Sequence, residues 1–243
     1  MGRRLAGSER LAPWGRLLVA VSALSLFLPA VSSAASATAP TLVVRVYDAF
    51  GATPEELNRA RIAVEATLDS ADVNVRWRRC RRNSADPCRD RLGDNELVIR
   101  LMRSPMIDGT ISPLALGYSS LLGAHQRGTL ATIYPDRVRS LAQRAKWHSG
   151  DLLGNAIAHE LGHLLLGTSA HADEGLMRAH WTASGMRDSA PADWNFLEDE
   201  RPLIRDAVIG RASDRSDDSD SAVSHNGSTD PLDPASHDRV ANH

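Results

Sequence analysis

Short runs of β-branched and apolar residues recur along the chain and predict four strands. Each run is bounded by turn-forming or charged residues, as strands in globular domains usually are. The runs are 41–48 (TLVVRVYD), 73–77 (VNVRW), 96–102 (ELVIRLM) and 128–134 (GTLATIY). The last is predicted to lie at an edge of the sheet. Residues 103–127, punctuated by Pro, Gly and Ser, are predicted to form a long loop.

Apolar residues at helical spacing predict several helices between and after these strands. The helical stretches are 54–70, 135–147, one that begins near Ser149 or Asp151, and 198–210. The first has the clearest start, because Thr53, Pro54 and Glu56 supply an N-cap, a first-turn proline and a capping-box acid. Strand, helix, strands and helices in this order predict an α+β or α/β layer fold with a small sheet.

The two ends of the chain differ from this middle region. Residues 1–37 carry arginines, then an apolar run shorter than the ~20 residues that span a bilayer, then small residues. This order predicts a signal peptide cleaved near Ala34 or Ala37, and an exported protein without a stable membrane anchor. Residues 212–243 are rich in Ser and Asp, which predicts a disordered tail. The folded domain is therefore expected over 38–211.

Composition narrows the function classes. The formal net charge is −2, and no basic stripe is interleaved with aromatic residues, so nucleic-acid binding is not expected. The chain has two cysteines, Cys80 and Cys88, and in an exported protein so close a pair predicts a disulfide. Two thiolate ligands of a metal ion are the alternative interpretation. We expect the chain to act as a monomer.

The strongest chemical signal is the stretch HELGHLLLGTSAHADEGLM at 159–177. His159 and His163 lie four residues apart, so a helix places both imidazoles on one face. Glu160 follows the first histidine directly. This HExxH pattern is typical of two neutral imidazoles on Zn²⁺ with a glutamate beside a bound water. A buried helix would otherwise have to desolvate all three side chains without partners, and a metal ion supplies the partner.

A third ligand is expected after the end of this helix. Gly167 can adopt the left-handed conformation that terminates a helix, and the turn would bring His171 back to the pair. Three histidines leave a fourth position open, as in catalytic zinc sites. The alternative third ligands are Asp173, Glu174 and His180. The histidines predicted to be solvent-exposed are His125, His148, His225, His237 and His243.

This stretch resembles the signature of metzincin zinc metallopeptidases, particularly the matrixin-like members. That signature is HExxHxxGxxH followed by a methionine turn. His159, Glu160 and His163 match it residue for residue, whereas Gly167 comes one position late and His171 two. The chain also resembles a group of small exported bacterial proteins with the pattern HExGHLLLGxxxH…GxM.

The methionine turn of that family has a counterpart in EGLM at 174–177. The resemblance implies that Met177 forms the hydrophobic floor beneath the metal. Without the resemblance, Met177 would be read as an ordinary core methionine.

The resemblance also implies a fold and an activity. The fold is zincin-like α+β: a small mixed twisted sheet packed on helices, an active-site helix carrying HExxH, and a short C-terminal subdomain. The activity is that of an exported zinc endopeptidase, in which Glu160 activates water on one catalytic Zn²⁺. A peptide substrate would add to the edge strand near Thr129–Ile133. Tyr134, at the end of that strand, is more simply a packing residue than an aid to the oxyanion. The alternatives are a zinc-binding protein that does not hydrolyse, or a zinc amidase with a non-protein substrate.

Overall fold

The computed structural model describes residues 38–81, 87–105, 115–121 and 128–223. The predicted signal peptide and the tail beyond Val223 lie outside the described residues, as does His125. Strands in the described ranges are β1 (Thr41–Asp48), β2 (Asn74–Cys80), β3 (Glu96–Leu101), β4 (Gly117–Ser120) and β5 (Leu130–Ile133). The α-helices there are α1 (Pro54–Asp69), α2 (Pro135–Ala145), α3 (Ser149–Leu166), α4 (Ala183–Asp188) and α5 (Glu200–Val223). Short 3₁₀ turns lie at Pro87–Arg89 and Pro191–Trp194.

The strands form one mixed sheet in the order β2-β1-β3-β5-β4. Strands β2, β1, β3 and β5 run parallel to one another, and β4 runs antiparallel to β5. The α1 and α3 helices pack against each other, α1 contacting β2 and α3 contacting β4 and β5. The predicted α+β fold, with a small mixed sheet packed on helices and a helix carrying HExxH, is confirmed.

The predicted edge strand is wrong. Within the described chain, β5 pairs with β3 on one side and with β4 on the other, so residues 129–133 are not at an edge. The edge strand on this side of the sheet is β4, which lies inside the segment predicted to be a loop. Its sequence GYSS is four residues long and carries no apolar alternation, which is why the pattern missed it.

The α3 helix is buried on almost all sides. Residues from Leu152 to Leu165 are all buried, because the sheet, α1, α2 and α5 contact α3 on different sides. Gly154 permits the close approach of α3 to α1, since a Cβ at this position would lie 2.5 Å from the Cβ of Ala63 on α1. A helix buried in this way has an apolar sequence all round, which explains the leucines of the HExxH stretch.

Glu56 ties α1 to α2 and α3. Its carboxylate accepts hydrogen bonds from the Arg139 guanidinium (2.8 and 2.6 Å), the Ser149 hydroxyl (2.8 Å) and the backbone N–H of Thr53 (3.0 Å). The bond from Arg139 is the largest cause that lowers the pKa of Glu56 to about 2, against burial, which raises it. This carboxylate therefore fixes the beginning of α3 against the neighbouring helices.

The network predicts a pH dependence of stability. Because the pKa of Glu56 falls from 4.5 to about 2 on folding, its contribution is complete above pH 4.5 and is lost as pH falls towards 2. Glu56→Gln is expected to lower the free energy of unfolding at pH 7 by about 2–3 kcal/mol. Glu65→Gln, which removes an exposed pair with Arg61 on the same helix, should cost less than about 0.5 kcal/mol. Urea unfolding at several pH values measures both, and equal losses would contradict the assignment.

The disulfide Cys80–Cys88 is present, as predicted. It joins the end of β2 to the turn that follows, and this segment is fixed against the sheet by Arg45. The Arg45 guanidinium donates to the backbone carbonyls of Cys88 (3.0 Å) and Asp90 (2.9 Å) and pairs with Glu96. The buried cation on β1 is thus compensated by a carboxylate and by carbonyl oxygens, as burial of a charge requires.

The C-terminal helix differs from the prediction of a disordered tail from residue 212. The α5 helix continues to Val223, because Val208 and Arg211 are buried and each further residue of a formed helix needs no new nucleation. The Arg211 guanidinium donates to the carbonyls of Leu164 (3.1 Å) and Gly128 (2.8 Å) and so caps the end of α3. Among the described residues, no helix is long and apolar enough to cross a membrane.

Candidate metal centre

The ends of α3 are well defined. His148 caps its beginning, where the imidazole Nδ1 accepts from the backbone N–H of Gly150 (3.1 Å). This histidine was predicted to be a solvent residue, and it is indeed exposed, but it also serves this local structural role. Gly167 ends the helix in the left-handed conformation, with φ +66°. That conformation favours glycine, and it reverses the chain as the sequence predicts.

The structure brings His159, His163 and His171 together. The Nε2 atoms of His159 and His163 are 3.1 Å apart, one turn from each other on α3. The centroid of the His171 ring lies 5.3 Å from the ring centroid of His159 and 4.8 Å from that of His163. One potential ligand atom from each residue lies within 4.8 Å of the others, and no further group of this kind occurs among the described residues.

The hydrogen bonds of the helical pair fix which nitrogens face inward. His159 Nδ1 donates to the carbonyl of Leu176 (2.9 Å), and His163 Nδ1 donates to that of Thr168 (2.8 Å). Each Nε2 atom therefore carries a lone pair, and the two lone pairs face each other. They repel unless a cation lies between them. Around a tetrahedral Zn²⁺ with Zn–N bonds of about 2.0–2.1 Å, two nitrogens lie about 3.3 Å apart, so the pair fits this ion.

All three histidines are in the form that binds metals. Burial, together with the neighbouring His163, lowers the pKa of His159 to about 3. Burial also lowers the pKa of His163 and of His171. Imidazoles with pKa values below 6.5 are neutral at pH 7, and the neutral form is the ligand.

Glu160 points into the same cavity from α3 and is held by the edge strand. The Ser119 hydroxyl lies 2.6 Å from Glu160 Oε2 and 2.8 Å from the Glu160 carbonyl. Burial raises the pKa of Glu160 to about 7, against the Ser119 bond, which lowers it. The hydroxyl has one proton, so it donates to the carboxylate when Glu160 is ionised. When Glu160 is protonated, the carboxyl donates to Ser119 and the hydroxyl donates to the carbonyl.

Met177 packs against α3 at Gly162, which lies between His159 and His163 in the sequence. It is buried against Gly162, where a Cβ would come within 2.5 Å of Met177 Sδ and 2.9 Å of the Phe196 ring. The turn before it is made by Gly175 (φ +70°) and presents the carbonyl of Leu176 to His159. A glycine between the two histidines of the motif is thus required by packing against the turn.

The alternative third ligands do not join the triad. Asp173 and Glu174 are exposed and line a neighbouring depression of about 410 Å³. His180 is exposed and lines the cavity that contains the triad, without belonging to the group of close ligand atoms. Trp181 packs edge-on against His159, with ring centroids 5.5 Å apart.

Sequence reasoning missed Ser119 and Trp181. Ser119 lay in a segment interpreted as a loop, and its contact with Glu160 depends on the pairing of β4 with β5. Trp181 follows the methionine turn, where no periodic pattern remained to place it. Tyr134 is buried and directly precedes α2, which agrees with its interpretation as a packing residue.

The chain is similar to two solved structures of metal-dependent proteins. No protein-family model matches the chain, and no curated protein matches its sequence. Among solved structures, metalloproteinase-II from Bacteroides fragilis is similar with 17% identity and a TM-score of 0.43, over 70% of this chain and 53% of that one. Archaemetzincin from Methanopyrus kandleri is similar with 14% identity and a TM-score of 0.46, over 72% of this chain and 99% of that one.

The chain therefore spans about half the length of the Bacteroides protein that it matches. Likenesses of this strength do not identify a family, and neither protein is named a matrixin, so that resemblance stays an expectation from the motif.

Proposed function

We propose that the protein is an exported zinc-dependent metalloendopeptidase of the zincin type. The observation that carries the proposal is the approach of three neutral imidazoles, from His159, His163 and His171, beside the buried carboxylate of Glu160. A site that only binds zinc has no need of a carboxylate next to its ligands. A hydrolytic site needs a general base there.

The described side chains would have different roles in metal binding and in proton transfer. The three histidines would hold the metal through Nε2 of the helical pair and a ring nitrogen of His171. A bound Zn²⁺ supplies a Lewis acid and makes water acidic enough to be a nucleophile near neutral pH. Glu160 accepts the proton of the attacking water at Oε1, since Oε2 is bound by Ser119, and transfers it to the leaving amine. Met177 would support the helix that carries two of the ligands, because it packs against Gly162.

A peptide substrate can be bound at the edge of the sheet. Gly117, Tyr118 and Ser119 of β4 line the cavity that contains the histidines, and the outer edge of β4 is not paired with any described strand. An extended peptide can add to such an edge by backbone hydrogen bonds. We therefore propose β4 as the strand that binds the substrate, in place of the residues near Thr129–Ile133 that the sequence predicted.

Export is supported by the disulfide. Cys80 and Cys88 form a bond that persists in oxidising compartments outside the cytosol. The proposed signal peptide at 1–37 accounts for such a location.

The proposal is tested on the full chain by metal analysis and by cleavage of a mixed peptide library. We expect close to one zinc ion per chain, loss of cleavage on chelation, and restoration by added Zn²⁺. Zinc binding without cleavage of any peptide would favour the non-hydrolysing alternative. Cleavage that persists after the zinc has been removed would overturn the proposed mechanism.

Ser119 is expected to position the base. Ser119→Ala should lower kcat by about ten- to hundredfold with little change in KM, because a hydrogen bond to a charged group is lost. Ser120→Ala is the matched control on the same strand and should leave kcat unchanged. Steady-state kinetics on one cleaved peptide decide the matter, and a similar kcat for both variants would refute the role.

A further inference from the structure

A large cavity adjoins the three histidines. Its volume is about 1140 Å³, more than one side chain needs. It is bounded by α2, by β4, by α3 and by residues 178–183. Any peptide bound with its scissile bond at Glu160 would place a neighbouring side chain or its terminus in this cavity.

One face of α2 gives the cavity a cationic wall. Arg137, Ser140, Leu141 and Arg144 all line it, at the i, i+3, i+4 and i+7 positions that share a helix face. Arg178 lines the cavity from the segment after the methionine turn. The cavity is thus lined by arginines and, between them on α2, by the apolar side chain of Leu141.

The two carboxylates that line the same cavity are already engaged. Asp136 accepts from the backbone N–H of Ser104 (3.0 Å) and from its hydroxyl. Glu160 is bound by Ser119. Neither is therefore available as a free partner for the arginines of the wall.

Two of the arginines form no close ion pair with a carboxylate within the described part of the chain. Arg144 donates to the Ser140 hydroxyl (2.6 Å) and forms no ion pair there. Arg178 is half-buried, donates to the carbonyls of Gly175 (2.9 Å) and Asp193 (2.7 Å), and its guanidinium lies 4.3 Å from the centre of the Trp194 ring. Burial lowers the pKa of Arg178, although the charge of the nearby Asp193 carboxylate raises it in part.

We propose that this cationic cavity selects substrates that carry a carboxylate next to the scissile bond, with Arg144 and Arg178 as specificity-determining residues. The inference rests on the proposed peptidase function. The carboxylate is either an acidic side chain or the C-terminus of the peptide, because both present the planar group that a guanidinium binds through two oxygens. Cavities walled by one sign of charge also concentrate ligands of the opposite sign.

Binding to an inactive variant tests selectivity apart from catalysis. Zinc-loaded Glu160→Gln protein is titrated with fluorescent peptides identical except for one central Glu, Gln or Lys, all amidated at the C-terminus. A fourth peptide has Gln at that position and a free C-terminal carboxylate. We expect the Glu peptide, the free-carboxylate peptide, or both to bind about tenfold more tightly than amidated Gln, a factor that a few exposed ion pairs can supply.

Charge reversal assigns the effect to the cavity. Arg144→Glu in the same background should bring the affinity ratio of carboxylate to Gln peptide close to one or below it. Arg61→Glu changes the net charge equally on the far helix α1 and should keep the ratio. A ratio of affinities is unaffected by a general loss of folded protein.

Each outcome separates this inference from the proposed function. Preference for the Glu peptide assigns an acidic side chain to the cavity, and preference for the free carboxylate alone assigns a C-terminus. Equal affinity for all peptides, or no binding of any, overturns the inference, as does a preference that survives Arg144→Glu. Zinc-dependent cleavage by the wild type is measured independently and decides the proposed function.

Discussion

Glu160→Gln is expected to reduce peptide cleavage by about 10²–10⁴-fold while the zinc content stays unchanged. Glutamine keeps the shape of the side chain and can still contact Ser119, but it cannot accept a proton at the acidity of a carboxylate. The imidazole nitrogens that would hold the ion come from other residues, so metal affinity should not depend on this change. Cleavage rates and zinc stoichiometry measured on the same preparation check both halves of the expectation.

A matched control lies close by. Glu174→Gln makes the same chemical change at an exposed carboxylate 14 positions along the chain, and it should affect neither cleavage nor zinc content. Cleavage at the wild-type rate by Glu160→Gln would show that Glu160 is not the general base and would contradict the proposed mechanism. A fall in zinc content for Glu160→Gln would instead make Glu160 a ligand.

The fold was largely predictable because its main elements carry strong local signals. The bounds of β1 were predicted correctly from its β-branched content. The α1 helix was predicted to within one residue, and its start follows from the Thr53 cap, which accepts from the N–H of Glu56 (3.1 Å). The order of the strands in the sheet was not predictable in this way. A four-residue strand such as β4 forms because it pairs with β5, and its own sequence does not indicate a strand.

The site was predictable where chemistry and helix geometry coincide. The four-residue spacing of His159 and His163 dictates that their rings meet on any helix. His171 was harder, because its spacing departs from the metzincin signature. The structure shows how the longer segment between His163 and His171 brings His171 back to the helical pair. Gly167 reverses the chain, and the Thr168 hydroxyl accepts from the N–H of Ala170 (3.0 Å) in a compact turn.

The charges of the cavity were not predictable from sequence. Arg144 looks like an ordinary polar position of an amphipathic helix, and Arg178 follows the methionine turn without a pattern. Their shared cavity exists only because α2 packs on α3 and because the chain after Met177 folds back beside it. The proposed specificity thus depends on tertiary contacts that local sequence patterns do not encode.

His171→Ala is expected to weaken zinc binding by more than about a hundredfold. Removal of an outer partner of a metal ligand already costs about 10–100-fold in affinity, and loss of the ligand itself should cost more. His171 is the exposed member of the triad, so its removal should leave the folded core intact. Competition with a zinc-binding dye measures the affinity, and circular dichroism verifies the fold.

His180→Ala is the control for this change. His180 lines the same cavity and is equally exposed, but it lies outside the triad, so its removal should leave zinc affinity within about threefold of the wild type, as expected of a surface substitution. The opposite result, weak binding in His180→Ala and normal binding in His171→Ala, would exchange the two residues as third ligand. Since zinc with two imidazoles alone is an incomplete catalytic site, cleavage should be lost together with affinity in whichever variant lacks the true ligand.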